Sequence, residues 1–589
     1  MPVHVGAKRR RAGFPPPAAG AGGSRGDGPG PGRPPADPGL AAPGGTPLSA
    51  DWSTATINIV ERPTPTITPI PSQTPTPTPT KTTAPPKAEM KTPADTLIIA
   101  MDTSDAVSMD PARAYEFSSC FVVNQLYDKL VDFELPDLVN VKPEVAEKWE
   151  VSEDGKVWTF HIRKGIKFAS GNPLTADDVV YSLQRVIKLE QTASWVLTQF
   201  VSSPEQIEKI DDYTVKITLD KPVAPSFFLA TLTFTTSAVV DKQVVEAHAK
   251  NGDMGSDWMT DHSAGSGPFI LEKWDREAEI VLKANPYYWK PGQPAVKKVI
   301  IKHVPEPTDQ LLLIKKGDVD IATDLTAEQV KQVEGTPGIN VIKVERTHIV
   351  YLGMNVAVKP LDKEEVRDAI RYCIDYDSII NDILLGAAIK WQTVIPKGLL
   401  GANPKAPYKK DVAKAKELLA KAGVPNGFTI ELTTPPTYPQ IDIATKIQAD
   451  LAECGIKVKI VQMTQSEMYE KYRKQGLQLV LAGWGSDYPD PDNNAKAFGD
   501  YRMKQLAWRN SWYDDYAADL AEKAAVEFDN NKRKQMYLEL TDYILDHGPY
   551  AILYQTLAQH VARDYVKNYL PDPTFFLEDL SKVSKAGGG

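Results

Sequence analysis

Residues 483–493 read Gly-Trp-Gly-Ser-Asp-Tyr-Pro-Asp-Pro-Asp-Asn, and they follow an apolar run from Leu477 to Ala482 that contains one polar residue, Gln478. The apolar run predicts a buried strand. The two glycines allow the backbone to approach another group closely, and the prolines and acidic residues favour a rigid loop over a continued strand or helix. Ligands of open α/β sheets bind outside the carboxyl ends of strands, so we expect this loop to be the recognition element, with Trp484 and Asp487 as its main side chains.

The composition excludes several classes of protein. The chain has 589 residues, which indicates more than one domain on a prior of roughly 100–200 residues per domain. A hydrophobic fraction of 42% and a charged fraction of 24% are ordinary for a globular protein. The net charge of -9 argues against a nucleic-acid partner, because nucleic-acid binders usually carry a basic balance.

The cysteines and histidines predict no metal site. Cys120, Cys373 and Cys454 are far apart and odd in number, so we expect neither a disulfide framework nor a CxxC site, and we expect Cys373 to be a buried, inert thiol. The eight histidines are scattered, and each is interpreted as a surface or hydrogen-bonded polar residue. No motif of a phosphate-binding loop, a dinucleotide fold or a zinc protease occurs, so no cofactor is expected. A glycosidase-type carboxylate pair stays open, because such pairs meet in space and not along the chain.

The N-terminal segment, residues 1–95, is predicted to be disordered. Proline, glycine and alanine dominate its first part, and residues 74–80 alternate threonine with proline. Such a segment cannot bury enough apolar surface to offset its ordering entropy. It is interpreted either as an extended stalk of polyproline II type or as a plain disordered tail.

No secretion signal of the usual pattern is visible. The basic cluster at residues 8–11 is followed by proline, glycine and alanine and not by an apolar segment, and no cysteine precedes Cys120. The chain also contains no apolar run of about 18 residues, so no membrane span is expected.

From residue 96 onward the patterns predict an α/β protein. Asp154-Gly155 is a hairpin signal, and Trp158, Phe160 and Ile162 form the apolar face of the strand that follows it. Residues 428–462 read strand, helix, strand, which is a βαβ unit. Further helices are expected over residues 124–130, 362–374 and 411–422 and after Ser466, and short strand-like pieces are expected over residues 551–554.

Several motifs in this order resemble family 5 solute-binding proteins, the peptide-, oligopeptide- and nickel-binding type of receptor that serves bacterial ABC transporters. The resemblance covers about residues 96 to 580. The motifs that carry it are residues 145–181, with Trp149, Asp154-Gly155 and Leu174 to Val179; Gly265 to Phe269; Asn285 to Trp289; Gly317 to Ile321; Asn355 to Arg367; and the Gly-Trp-x-x-Asp of Gly483 to Asp487.

The resemblance implies the two-lobed type II periplasmic-binding-protein fold, with mixed sheets, a hinge between the lobes and an inserted subdomain. The first lobe is expected to comprise residues 96–130, the inserted subdomain 131–265, residues 266–345 and the C-terminal part 550–589. The second, ligand-binding lobe is expected at residues 346–549. Chain crossings between the lobes are therefore expected near residues 345 and 550.

The resemblance also implies the site residues. The aspartate of the Gly-Trp-x-x-Asp segment pairs with the ligand's α-ammonium in peptide-binding relatives, so Asp487 is expected to be the charge partner, lined by Gly483, Trp484 and Gly485. An enclosed ammonium needs such a partner, or its desolvation opposes binding. The alternative is that Asp487 only bonds its own turn. Asp490 and Asp492 are interpreted as turn residues.

The expected function is that of a receptor without catalytic residues or cofactor, which captures a peptide or similar solute outside the cytoplasm. The expected partners are a permease and an ATPase, and a monomer tethered through the N-terminal stalk, as in a lipoprotein, is expected. Dipeptide-binding relatives carry an arginine in the loop that corresponds to residues 433–439, and this chain has neither Arg nor Lys there. A longer peptide or a non-peptide solute therefore stays open. The alternatives are an oligosaccharide receptor of the same family and a carboxylate-based hydrolase.

Overall fold

A computed structural model describes residues 90–574 and 576–586, so the predicted disorder of the N-terminal segment lies almost entirely outside the described residues. The strands range from two-residue ladders to one of 16 residues. In chain order they are β1 Thr96–Met101, β2 Val131–Asp132, β3 Lys142–Pro143, β4 Ala146–Val151, β5 Val157–Ile162, β6 Ile207–Asp211, β7 Thr214–Thr218, β8 Phe269–Asp275, β9 Glu279–Ala284, β10 Lys298–His303, β11 Ile321–Ala322, β12 Ile339–Met354, β13 Ala388–Ile389, β14 Thr429–Thr434, β15 Lys457–Gln462, β16 Leu479–Gly485, β17 Tyr550–Arg563, β18 Val566–Lys567 and β19 Ser584–Lys585.

The helices surround the sheets, and short 3-10 turns and one π-helical turn, Ile379–Ile383, connect them. In chain order the α-helices are α1 Phe117–Leu126, α2 Ala176–Leu189, α3 Trp195–Thr198, α4 Pro225–Thr231, α5 Lys242–His248, α6 Ser256–Met259, α7 Pro307–Lys316, α8 Ala327–Val333, α9 Glu364–Cys373, α10 Tyr376–Ser378, α11 Val412–Lys421, α12 Gln440–Glu453, α13 Gln465–Arg473, α14 Pro491–Gly499, α15 Leu506–Arg509, α16 Asp515–Val526 and α17 Asn530–His547. None of the described helices has the length and apolarity of a membrane span.

One mixed sheet runs through the molecule in the order β15-β14-β16-β12-β17-β11-β1-β10-β9-β8, with β13 attached to β17. Its first part contains the predicted βαβ unit, since β14 and β15 pair in parallel and α12 connects them. β16 is also parallel to β14 and antiparallel to β12. The carboxyl ends of β14 and β16 therefore emerge at the same edge of the sheet, where ligands of such sheets bind.

Two long strands, β12 and β17, join the two parts of this sheet. They pair over most of their length, but the register shifts between Glu345 and Ile349. There the backbone of Thr347 turns to other partners: its N–H donates to Pro573 O at 2.8 Å, and its carbonyl accepts from Ser486 N at 3.1 Å. The interruption thus connects the loop after β16 to the C-terminal segment.

A separate four-stranded sheet, β4-β5-β7-β6, carries the predicted hairpin. Gly155 takes a φ of 69° in its turn, a conformation that glycine adopts without a steric penalty. Trp158 and Phe160 are fully buried and Ile162 is 2% exposed, as the alternation of β5 predicts. α2 begins with a capping box of Thr175 and Asp178.

The hydrophobic core is divided between the two parts of the chain. One cluster collects buried residues mainly from 97 to 301 and from 562 to 583. Two others lie on the two faces of the β14-β16-β12 region, and their members come mainly from residues 349 to 554. A fourth, smaller cluster is formed mainly by residues 311–339 with Ile98, Ala100 and Val561. The division into lobes and its boundaries stay a prediction.

Several local predictions were wrong. The first helix spans Phe117–Leu126 and ends before residue 130, and Thr464, not Ser466, caps α13 through a capping box with Glu467. α9 begins at Glu364 after an uncapped Lys363 and not at residue 362. The short pieces expected over 551–554 are part of the 14-residue strand β17. That strand is buried on both faces for most of its length, so its sequence lacks the alternation of a half-exposed strand.

The cysteine prediction was also wrong in part. Cys373 at the end of α9 and Cys454 after α12 form a disulfide, with Cα atoms 6.4 Å apart. They are 81 residues apart in the chain, so spacing alone does not reveal the pair. Cys120 is the free, buried cysteine. The bridge ties together two helices of the predicted second lobe.

Candidate functional site

The recognition segment begins inside the sheet. β16 continues through Gly485, so Gly483 and Trp484 belong to the strand and not to the loop, contrary to the prediction. The loop proper is residues 486–490, and Pro491 occupies the first turn of α14, where proline costs no hydrogen bond. Ser486 fastens the start of the loop, because its hydroxyl donates to Asn494 Oδ1 at 2.7 Å.

Asp487 lies at the tip of this loop and is contacted from both predicted lobes. Tyr115 Oη donates to Asp487 Oδ1 at 2.9 Å from the first lobe, and Asn493 Nδ2 donates to Oδ2 at 3.3 Å from α14. Both donors are neutral, so neither brings a positive charge to the carboxylate. Asp487 nevertheless keeps partial access to solvent.

The protein around Asp487 opposes its negative charge. Desolvation by burial raises the pKa of Asp487, and the hydrogen bonds from Tyr115 and Asn493 lower it, with a net shift upward. Burial also raises the pKa of Tyr115, with the Asp487 carboxylate as the next cause, so Tyr115 is a neutral donor. A cation placed beside Asp487 would remove this unfavourable balance.

Trp484 supports the same network. Its Nε1 donates to Asn493 Oδ1 at 3.1 Å, and the other end of that amide holds Asp487. The indole also packs edge to face on Phe498, with ring centroids 6.4 Å apart. Trp484 thus orients the amide that orients the carboxylate.

The two glycines make room for a histidine. A Cβ at Gly483 would lie 2.6 Å from His348 Nε2, and one at Gly485 would lie 3.4 Å from His348 Cδ2. His348 stands opposite Gly485 in the β12–β16 pairing, and its ring covers both glycines. Burial, together with the nearby Arg346 guanidinium, lowers the pKa of His348 to about 4, so the imidazole is neutral at physiological pH.

Asp490 has a different environment from Asp487. Its two oxygens accept from Arg533 Nη1 at 2.7 Å and Nη2 at 2.6 Å, and both side chains are buried. Asp490 also caps α14 by accepting from the backbone N of Asp492 at 2.9 Å. The turn role expected for Asp490 is present, and the buried ion pair adds to it.

The loop after β14, which was singled out for its missing arginine, borders a groove of about 520 Å³. Tyr438 of this loop donates to Ile383 O at 2.7 Å, and Glu328, Asp382 and Asp442 also line the groove. Lys446, the lysine that lines the groove, forms an ion pair with Asp450 at 2.6 Å. The loop itself, residues 433–439, contributes no arginine or lysine to the groove.

Comparison with known proteins identifies the relatives of this arrangement. The family model described as "Bacterial extracellular solute-binding proteins, family 5 Middle" matches residues 140–504. The chain belongs to this family. The dipeptide-binding protein of Escherichia coli K12 is 31% identical over 76% of this chain and 87% of its own length. The probable D,D-dipeptide-binding periplasmic protein DdpA of the same organism is 29% identical over 85% and 95%. Members of the family are binding proteins, and the periplasmic relatives imply a location outside the cytoplasm.

Solved structures confirm the two-lobed type II fold. HbpA2 of Haemophilus parasuis has a TM-score of 0.76 at 27% identity, covering 84% of this chain and 100% of its own. The periplasmic binding protein DppA of Helicobacter pylori, solved with the peptide STSA, has a TM-score of 0.67 at 29% identity, covering 84% and 98%. The fold and family predicted from the sequence are thus confirmed, and the ligand roles of individual residues are taken up below.

Sequence reasoning missed three residues of this site. Tyr115 lies 372 residues from Asp487 in the chain, and His348 was treated as one scattered histidine among eight. Asn493 was given no role, although its amide bridges Trp484 and Asp487. Gly483 and Gly485 were the sequence signal that pointed toward His348. They indicated that some group approaches the backbone closely, but not which group it is.

Proposed function

We propose that this protein captures a peptide between its two lobes and delivers it to the permease and ATPase subunits of an ABC importer. In this proposal Asp487 binds the peptide's α-ammonium, and Gly483, Trp484 and Gly485 line the site. The observation that carries the proposal is the state of Asp487. It is a desolvated carboxylate at a strand's carboxyl end, it is contacted from both predicted lobes, and its two side-chain donors in the described part of the chain, Tyr115 and Asn493, are neutral.

The family supports this assignment. Several relatives carry names that state a dipeptide or a di/tripeptide as ligand. A carboxylate accepts up to about four hydrogen bonds, so an ammonium can join Tyr115 and Asn493 without displacing them. A charge-assisted hydrogen bond of this kind is roughly twice as strong as a neutral one. The peptide would hold the lobes together, because Tyr115 and Asp487 belong to different predicted lobes and both face it.

The direct test is calorimetry with Ala-Ala-Ala and its N-acetylated form. The wild type is expected to bind the free peptide and not the acetylated one, which lacks the ammonium. Asp487→Asn is expected to weaken binding by about 2–5 kcal/mol, because it leaves an enclosed ammonium without its counter-charge.

Asp261→Asn is the matched control, because that carboxylate is 61% exposed and lies in the predicted inserted subdomain, away from the cleft. It should bind as the wild type does. Equal affinity of Asp487→Asn and the wild type would remove Asp487 from the site. Recovery of the peptide intact after incubation is expected as well, and cleavage would instead support the hydrolase alternative.

We further propose that the protein acts as a monomer and that residues 1–95 form a stalk tethering it to the membrane. The threonine-proline alternation at residues 74–80 supports a semi-rigid spacer. Mass spectrometry of the native protein tests this. A lipid-modified or processed N-terminus in the membrane fraction is expected, and intact residues 1–50 in the cytosol would contradict it.

A further inference from the structure

Gln555 of β17 is a fully buried glutamine at the end of the interruption between β12 and β17, where it lies opposite Ile349. Its Nε2 donates to Arg346 O at 2.8 Å and to Lys397 O at 3.1 Å. Its Oε1 accepts from Lys397 N at 2.8 Å. One side chain therefore holds the backbone of two segments, the interrupted part of β12 and the segment that contains Lys397.

The interrupted part of β12 supports Ser486, the residue before Asp487. Thr347 follows Arg346 in the chain, and its carbonyl accepts from Ser486 N at 3.1 Å. Both of the bonded residues are buried, and buried backbone groups that lose a hydrogen bond remain desolvated, so this contact keeps the strand and the loop in one arrangement. The hydrogen bond from Gln555 fixes the peptide unit that leads into Thr347.

The segment that contains Lys397 supports Ser486 by a second route. Ser486 Oγ donates to Asn494 Oδ1 at 2.7 Å, and Asn494 Nδ2 donates in turn to Val394 O at 2.8 Å. Val394 precedes Lys397 by three residues, and Val394 and Asn494 are both buried. Both routes from Ser486 therefore lead back to Gln555.

We propose that Gln555 is a positioning residue for ligand binding, which holds Ser486 through both segments and so fixes the direction in which Asp487 faces the ligand's ammonium. This proposal rests on the proposed function and deepens it, because Gln555 acts without contacting the ligand. A hydrogen bond weakens steeply when its angle departs from linearity, so a small shift of the loop lowers the affinity without removing the charge. An apolar side chain of similar size in place of Gln555 would remove its hydrogen bonds to three backbone groups.

Gln555→Met tests this role, because methionine is similar in size and lacks the amide. Calorimetry with Ala-Ala-Ala should show about tenfold weaker binding, a loss within the range of coupling between residues of one hydrogen-bond network. A merely structural role would instead lower the fraction of folded protein, which the titration reports as the number of binding sites, and would leave the Kd of the folded fraction unchanged. Circular dichroism records the folded fraction independently.

Gln184→Met is the matched control. Gln184 Nε2 also donates to two backbone carbonyls, those of Pro204 and Ile207, both at 3.0 Å, but it lies in the predicted inserted subdomain. Its replacement should leave the Kd for Ala-Ala-Ala unchanged. A loss equal to that of Gln555→Met would show that the effect is not particular to Gln555 and would overturn the proposal.

Ser486→Ala tests the route from Gln555 to Asp487, because it removes the hydroxyl that bonds Asn494 and keeps the backbone bond to Thr347. Binding of Ala-Ala-Ala should weaken by about threefold, as expected for one hydrogen bond. The double variant with Gln555→Met should lose less than the product of the two single losses, because both substitutions release the same loop. Losses that simply multiply would overturn the route through Ser486. If Gln555→Met does not fold, an unchanged Kd in Ser486→Ala overturns the proposal by itself.

The outcomes separate this proposal from the proposed function. Failure of the wild type to bind Ala-Ala-Ala would contradict the proposed function. Binding by the wild type together with an unchanged Kd in Gln555→Met would leave peptide capture standing and overturn the role of Gln555.

Discussion

Asp487 and Asp490 lie three residues apart in one loop and have opposite environments. Asp490 is buried and accepts two hydrogen bonds from Arg533, whose Nε donates to Ala524 O at 2.9 Å and whose Nη2 also donates to Tyr537 Oη at 2.9 Å. The side-chain donors to Asp487 in the described part of the chain, Tyr115 and Asn493, are neutral, and Asp487 keeps partial access to solvent. A carboxylate that is paired with a buried arginine has a structural role. A desolvated carboxylate that lacks a cationic partner is available to bind a ligand.

The pKa shifts point the same way. Burial by itself would lower the pKa of Arg533, but the Asp490 carboxylate raises it above its ordinary value, so the pair stays charged. For Asp487 burial is the dominant cause and raises the pKa, because the neighbouring hydrogen bonds offset it only in part. The protein stabilises Asp490 as an anion. It disfavours the anionic form of Asp487, and a bound cation would offset that unfavourable desolvation.

The largest expected effect is on the Asp490 side of this comparison. Arg533→Met should destabilise the protein by about 3–5 kcal/mol, because it leaves Asp490 buried without its counter-charge. Urea unfolding monitored by circular dichroism measures this. Lys582→Met is the control, since its pair with Glu134 at 2.9 Å is exposed and should cost under about 1 kcal/mol. Equal losses in the two variants would break the distinction between a structural and a surface ion pair.

A smaller effect is expected from the strand that leads into the loop. Gly483→Ala would place a methyl group 2.6 Å from His348 Nε2 and should cost about 1–3 kcal/mol of stability, as overpacked cores do. It should also weaken peptide binding, because the displaced ring and backbone adjoin the loop that carries Asp487. Gly485→Ala leaves a 3.4 Å contact and should be neutral or stabilising by up to about 1 kcal/mol. Identical behaviour of the two alanines, in unfolding and in calorimetry, would contradict the role given to His348.

The smallest change in the free energy of unfolding is expected for a substitution of Asp487, and this change is a stabilisation and not a loss. Asp487→Asn should stabilise the ligand-free protein by about 0.5–2 kcal/mol, because the neutral amide removes a negative charge that burial disfavours. Residues kept for function often reduce stability in this way. The pKa of Asp487 is raised in the folded state, so its protonated form favours folding, and that contribution is lost as the pH rises through the folded-state pKa. Unfolding measured at pH 4 and pH 7 should show the larger advantage of the asparagine at pH 7. A less stable variant at pH 7 would mean that Asp487 is a structural residue like Asp490.

Much of the local structure could be predicted because its causes are local. The hairpin at Asp154-Gly155 and the alternation of Trp158 and Phe160 each involve residues within a few positions of one another, and both occur as expected. The ordered family motifs predicted the two-lobed fold for the same reason, since each can be read as a short stretch. Some local predictions failed too, such as the cap of α13, but these misses shift an element's end by a few residues, whereas the bridge of Cys373 to Cys454 was missed entirely because it joins distant residues.

The amino-acid sequence alone determined that a buried strand leads into the segment from Gly483, that a carboxylate follows it, and that the chain has the two-lobed fold of its family. Only the tertiary structure decided which partner each group in that loop receives: Tyr115 for Asp487, Arg533 for Asp490 and His348 for the two glycines. The physical reason is the range of the interactions. Hydrophobic periodicity, capping and turns act over a few residues, whereas desolvation and pairing of charges depend on what the folded chain brings from far away.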